Sequence, residues 1–218
     1  MIEFDKIYVV WRKGVGGRRT AIGEIVKTIE GKHTFKYFPK AIGMQKNDGF
    51  TPYTEFQNLQ KVYNENVAEI FGQRLTKSDR PDIDSFYKFW EVDVEKIKDK
   101  FYLLGKTQGL VATDNFEFLA DFKYFKGISF LTEIAGLSIT QLSKGTLQIG
   151  DVLRYELEPK NEKDKLAVKV FKGNLHLGYI KKYNSKIFHD VPTGELKLTV
   201  KAIDQNGILK RVFIRVFN

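Results

Sequence analysis

The sequence predicts an α+β chain: an N-terminal β-meander followed by a helical segment, then a small C-terminal β-barrel or SH3-like module. Three observations carry that reading. The first forty or so residues break into short alternating runs punctuated by glycine turns, the period of half-buried strands. Residues 56–104 instead place apolar side chains at helical spacing. From Val152 onward alternation returns in short runs with turn residues between them, as a small closed sheet requires. The domain boundary is placed between residues 125 and 126.

In order, Ile7–Trp11 reads as a strand, and Gly14-x-Gly16-Gly17 as a loose turn that displays Arg18 and Arg19 to solvent or to a phosphate backbone. This is not a nucleotide loop. No Lys-Ser/Thr follows, and the segment leads into a strand, so no helix N-terminus is there to receive an anion. Thr20–Val26 and His33–Phe38 complete the meander across the Gly31-Lys32 turn. A helix is expected over 56–75, with Leu59, Val62, Tyr63, Val67, Ile70, Phe71 and Leu75 on one face. Ser78-Asp79-Arg80-Pro81 reads as the cap of a second helix through Phe86, Phe89 and Trp90. A third helix is expected from Val94 to Leu104, ending near Gly105. The Phe- and Tyr-dense stretch 115–130 reads as strand-rich and as the seam between the two parts. Strands then follow at Val152–Leu157, Lys165–Phe171, Leu175–Ile180, Glu195–Ile203 and Leu209–Phe217, with one or two helical turns at Tyr183–His189.

Composition narrows the function classes. A hydrophobic content of 42% with 14% aromatics fills a globular core. The absence of cysteine excludes disulfides, thiolate catalysis and Cys-type zinc sites. Met1–Val10 is too short and too charged for a signal peptide, and no apolar run reaches the roughly 18–20 residues of a membrane helix, so a cytoplasmic protein off the membrane is expected. The net charge of +9 is unevenly placed: +6 on residues 1–46, −3 on 47–127 and +6 on 128–218. Two basic ends suit polyanion-facing surfaces; solvated surplus lysine would give the same count.

The most informative stretch is Leu157-Glu158-Pro159-Lys160-Asn161-Glu162-Lys163-Asp164-Lys165-Leu166-Ala167-Val168-Lys169-Val170, followed by Leu177-Gly178-Tyr179-Ile180-Lys181-Lys182. An alternating strand runs into Pro159, which cannot donate to a central ladder, and alternation resumes after a polar, Asx-containing bend. Glu-Pro, then Asn161, then Asp164, then Ala167-Val168-x-Val170 and Gly178-Tyr179-Ile180 together resemble the signature of HIRAN domains. That resemblance covers roughly the last ninety residues. It implies a small all-β module of DNA-processing enzymes that captures single-stranded DNA at a 3′-hydroxyl end, with Asn161 and Asp164 holding the end nucleotide. The family usually has Pro-Tyr between this Asn and Asp; here Glu162-Lys163 stands there, removing a stacking aromatic and adding a carboxylate. The order Tyr8…Gly23-Glu24…Phe35-x-Tyr37 resembles the N-terminal lobe of HipA-type toxin kinases, a β-rich cap. The segment Gly49–Tyr53, Lys61–Tyr63, Gln73–Leu75 and Arg80–Asp82 resembles one found ahead of HIRAN modules in bacterial HipA-like proteins.

In chemical terms, a terminal hydroxyl donates a hydrogen bond to a carboxylate, whereas a terminal phosphate is repelled by it. Asp164 in a basic groove would make that distinction. Lys160, Lys163, Lys165, Lys181, Lys182, Lys186 and Arg154 are candidates for phosphates, and Tyr155, Tyr179 and Tyr183 for bases. Alternatively, Asn161 and Asp164 cap their own turn and the tyrosines are core. His33, His176 and His189 share no ligand spacing, so no metal site is expected. No cofactor motif, Ser/His/Asp set, helicase motif or kinase loop is present, and Asp82/Asp84 read as helix-start charges. The expectation is a non-catalytic DNA-binding protein acting on single strands or 3′ ends, with a nuclease, helicase or toxin–antitoxin component as possible protein partner. The alternative is a protein-interaction module of a toxin–antitoxin or phage-defence system that does not bind DNA.

Overall fold

The meander forms as the alternation requires: β1 (Lys6–Arg12), β2 (Arg19–Lys27) and β3 (His33–Tyr37) pair antiparallel in sequence order. The structure, a computed structural model, describes residues 3–14, 17–111 and 114–218. Two of the turn residues read from sequence, Val15 and Gly16, lie outside the described residues. The chain divides after Asp121, four residues before the expected boundary, because the strand ending at Ala120 pairs with β1.

In the N-terminal unit an unexpected helix, α1 (Lys40–Asn47), follows β3. The single helix expected over 56–75 is not formed. Instead β4 (Val62–Tyr63) adds a two-residue edge to β3, and only α2 (Val67–Gly72) is helical. Asn66, at φ 51°, is left-handed and stops any helix from running through it. The helical spacing has another origin: Phe56, Tyr63 and Phe71 converge on Phe35, with ring centroids 5.1, 6.1 and 5.0 Å away.

The second helix, α3 (Ile83–Trp90), starts at Asp82, beyond Pro81, rather than at Ser78. The third is split. A 3₁₀ turn covers Val94–Lys96, and α4 (Lys100–Thr107) passes through Gly105, capped by Asp99, whose carboxylate accepts the Tyr102 N–H at 3.0 Å. The sheet closes with β5 (Phe116–Ala120), giving the order β4-β3-β2-β1-β5.

The C-terminal unit is a closed six-stranded barrel. Its elements are β6 (Ser129–Ala135), α5 (Leu137–Thr140), β7 (Val152–Leu157), β8 (Val168–Lys172), β9 (Leu175–Ile180), β10 (Lys197–Asn206) and β11 (Ile208–Phe217), with 3₁₀ turns at Lys182–Asn184 and Lys186–Phe188. Strands neighbour each other in the order β10-β11-β6-β9-β8-β7, and β7 returns to β10 through Leu153↔Leu198. Alternate residues turn inward, so Phe130, Val168, Val170, Leu177, Leu198, Val200, Val212 and Ile214 are buried. Five of the six strands and the short helical turns stand where alternation predicted them, although β8 begins at Val168 rather than Lys165; β6 was foreseen only as part of a strand-rich stretch ending at Phe130, and α5, four residues long, is below the length at which periodicity shows.

Two seams of the barrel are only two residue pairs long: β7–β10, and β6–β9 with Ile134↔Ile180 and Ala135↔Tyr179. Gly178 makes that approach possible. A Cβ there would sit 2.3 Å from the Ala135 carbonyl oxygen, and its φ of 149° belongs to the region that favours glycine.

Candidate functional site

The β7–β8 ladder ends at Leu157↔Val168, where Pro159 removes a donor, and residues 158–167 form a bend that supplies its own hydrogen bonds. The Glu158 N–H reaches the Ala167 carbonyl at 2.8 Å, and the Ala167 N–H returns to the Asp164 carbonyl at 2.9 Å. Asn161 Oδ1 accepts the N–H groups of Lys163 and Asp164, both at 3.0 Å, while its Nδ2 donates to Glu158 at 2.6 Å. Asp164 Oδ1 accepts the Leu166 N–H at 3.2 Å and lies 3.7 Å from the Lys182 ammonium.

Both side chains therefore fasten the main chain of their own bend, as Asx residues do. For Asn161 the Oδ1 does this, while its Nδ2 is given to the Glu158 carboxylate. For Asp164 it uses one oxygen, and Oδ2 takes no hydrogen bond among the described residues.

The anchor of the bend is Glu158. Its carboxylate receives Lys169 Nζ at 2.6 Å, Asn161 Nδ2 at 2.6 Å and the Tyr179 hydroxyl at 3.2 Å. The Lys169 ammonium, then the Asn161 amide, hold its carboxyl below the usual range. Tyr179 is pushed up, by burial first and then by the charge of Glu158. From sequence, Glu158 stood out only as the first residue of the Glu-Pro pair, with no role of its own. The available signal was its position three residues before Asn161, across a proline.

The bend walls a cleft of about 720 Å³ whose far side is Gly136 and α5, with His176 and Tyr179 on its floor strand β9. Six of the sequence-predicted residues line it: Lys160, Asn161, Lys163, Asp164, Tyr179 and Lys182. Lys165 is exposed on the same bend and Lys186 on the second 3₁₀ turn, and Tyr183 is half-buried on the first; all three lie outside the lining. Unforeseen lining residues are Ile139, which is 86% exposed, and His176, whose Nε2 is buried without a hydrogen-bond partner.

Several expectations are corrected. Lys181 is not at the surface. Its side chain is 1% exposed and its ammonium lies 3.4 Å from buried Glu133, which also pairs with Arg211. Alternation along β9 turns Tyr179 outward and Ile180 inward, and the chain enters the first 3₁₀ turn with Lys181 still inside. Tyr155 does not offer a stacking face: its ring meets Phe188 edge-on at 4.9 Å and its oxygen accepts the Gly194 N–H at 3.0 Å. The groove around Asp164 is not uniformly basic, since Lys160, Lys163 and Lys182 share the lining with Glu158, Glu162 and Asp164. In the N-terminal unit, Arg18 is exposed, but Arg19 belongs to β2, where its Nε contacts the buried Glu117 carboxylate at 2.9 and 3.0 Å. It is committed to that pair rather than displayed.

Among the described residues no three His, Asp or Glu side chains cluster so as to hold a metal ion, and no helix is long and apolar enough to cross a membrane.

Compared with known proteins, residues 128–204 match the family model of the HIRAN domain. No curated protein matches the chain. Among solved structures, the chain is similar to the HIRAN domain of human HLTF at 18% identity and a TM-score of 0.32, covering 41% of this chain and 75% of that one. It is also similar to a protein from Lactobacillus plantarum at 21% identity and a TM-score of 0.32, covering 43% of this chain and 96% of that one.

Proposed function

We propose, from the premise that residues 128–204 of this chain are a HIRAN domain, that it binds the ends of single-stranded DNA in the cleft beside Asp164, without catalysis of its own. The HIRAN domain is a DNA-binding module, which supports a nucleic-acid-binding role. The finer reading rests on one observation: Asp164 spends one carboxylate oxygen on its own bend and keeps the other uncommitted at an open cleft. A strand's 3′-hydroxyl donates to that oxygen; a 3′-phosphate brings a second negative charge to it and is turned away.

On this reading Lys160, Lys163 and Lys182 meet the phosphates behind the end nucleotide and Tyr179 its base; what supports this is that all four line the cleft. With three carboxylates in the same lining, the attraction is local to these ammonium groups, and the salt dependence of binding is correspondingly shallow for a DNA-binding protein.

Fluorescence anisotropy with otherwise identical 3′-hydroxyl and 3′-phosphate strands tests this. The hydroxyl strand binds more tightly, and Asp164→Ala erases the difference. Equal binding of both strands by the unaltered chain disproves end recognition.

A second reading has one observation in its favour, the balanced charge of the lining together with the exposed Ile139 at its edge. On that reading the cleft takes a protein segment, and neither strand binds.

A further inference from the structure

Outside the cleft, the outer face of β7–β9 carries a row of planar groups. Arg154 and Phe171 are cross-strand partners, as are Phe171 and His176, so their side chains share one face. The guanidinium carbon of Arg154 lies 4.1 Å from the Phe171 ring centroid. Phe171 and His176 are 5.2 Å apart, and His176 meets Tyr179, at the cleft, again at 5.2 Å. The row therefore runs without interruption from the cleft to Arg154.

Arg154 is unusually fixed for a surface arginine. Its Nε donates to the Gly173 carbonyl at 2.8 Å, one terminal nitrogen pairs with Glu156, and Phe171 supports its plane from below. Its side chain nevertheless keeps 45% of its surface exposed. Val152, 76% exposed, and Leu175, 44% exposed, flank the same end of the sheet.

Charge decides what this row can hold. Arg154 is matched by Glu156, and Lys169 by Glu158, so the face presents planes rather than net positive charge. A phosphate gains little there. A nucleobase gains a rigid cationic plane whose ordering cost has already been met in the free protein.

We propose that Arg154, held over the Phe171 ring, is a stacking shelf for an internal base of a single strand whose end lies in the cleft, with His176 joining the two. This rests on the end-binding reading above and assigns the path that the strand takes away from the cleft.

The test uses the full chain with a dinucleotide and a decanucleotide, both ending in a 3′-hydroxyl, the longer one carrying aminopurine at successive internal positions. Arg154→Lys keeps the charge and loses the plane. It is expected to weaken decanucleotide binding by roughly five- to a hundredfold, the effect of one lost stack. It leaves dinucleotide binding unchanged and removes the aminopurine quenching at one internal position. Phe171→Ala gives the same pattern, with circular dichroism confirming the fold.

Decanucleotide affinity for Arg154→Lys equal to that of the unaltered chain overturns the shelf, as does an equal loss on both lengths, which would mark damage to the cleft. If Asp164→Ala abolishes end preference while Arg154→Lys changes nothing, the shelf alone fails. If the unaltered chain binds neither strand, both readings fail.

Discussion

Replacing Gly178 by alanine tests the barrel at one of its two shortest seams. The added Cβ would lie 2.3 Å from the Ala135 carbonyl oxygen and 2.8 Å from Ile134 Cγ2. Ordinary carbon–oxygen contacts between strands start near ~3.3 Å, so β6 and β9 must part by about 1 Å. Only two residue pairs hold that seam, and parting them disturbs both. Overpacking costs about 1–3 kcal/mol, and a side chain in this backbone region about 1–3 kcal/mol more. The expected loss is about 2–6 kcal/mol, a large share of the roughly 5–15 kcal/mol that a domain possesses.

Gly173→Ala is the control. Its φ of 56° is near the left-handed minimum, nothing lies within 4 Å of the new methyl group, and the cost is about 1 kcal/mol. Both tryptophans, Trp11 and Trp90, belong to the N-terminal unit, so their fluorescence does not follow the barrel. Urea unfolding followed by far-ultraviolet circular dichroism, with amide exchange of β6 and β9, does. At about 1–3 kcal/mol per molar urea, the barrel midpoint of Gly178→Ala falls by about 1 M or more while the tryptophan transition stays in place. Equal midpoints for the two alanine variants would refute the steric argument.

Two further outcomes follow from the charged groups of the barrel. Lys181→Ala removes a buried cation from Glu133, and should cost about 2–4 kcal/mol in urea unfolding while leaving the salt dependence of DNA binding untouched; a salt slope reduced by about one unit would instead mark Lys181 as a phosphate contact. Glu158, whose carboxyl is depressed by Lys169 and Asn161, contributes stability that is present above the ordinary carboxylate pKa of about 4.3 and is lost as pH falls through its lower folded value. The barrel's urea midpoint should therefore drop on acidification, and less steeply in Glu158→Gln; identical acid limbs would argue that the Glu158 hub holds nothing.

The barrel was the more legible half because its information is local. Val152–Leu157 steps between exposed and more buried residues along its length, and Pro159 and Gly173 mark where the ladders turn. The N-terminal helices were less so. Phe56, Tyr63 and Phe71 share a spacing that fits a helix equally well as three points on an aromatic cluster, and only the left-handed Asn66 separates the two.

At the site, residue type showed which groups can meet a nucleic acid, but not which already have partners. Lys181 and Lys182 are adjacent and chemically identical, yet one is paired inside with Glu133 and the other lines the cleft. Arg19 likewise faces Glu117, ninety-eight positions away in sequence. Glu158 draws three donors from three different elements, a convergence that only the folded chain assembles.

Because the six strands return to their starting point, every strand of the barrel has a neighbour on both sides and none stands at an outer edge where another chain would add as a seventh. Its main-chain donors and acceptors in the ladders are already spoken for, so any visitor must be gripped by side chains and by the bends between strands. Exchanging those bends would change what is gripped, while the ring of strands beneath stayed as it is.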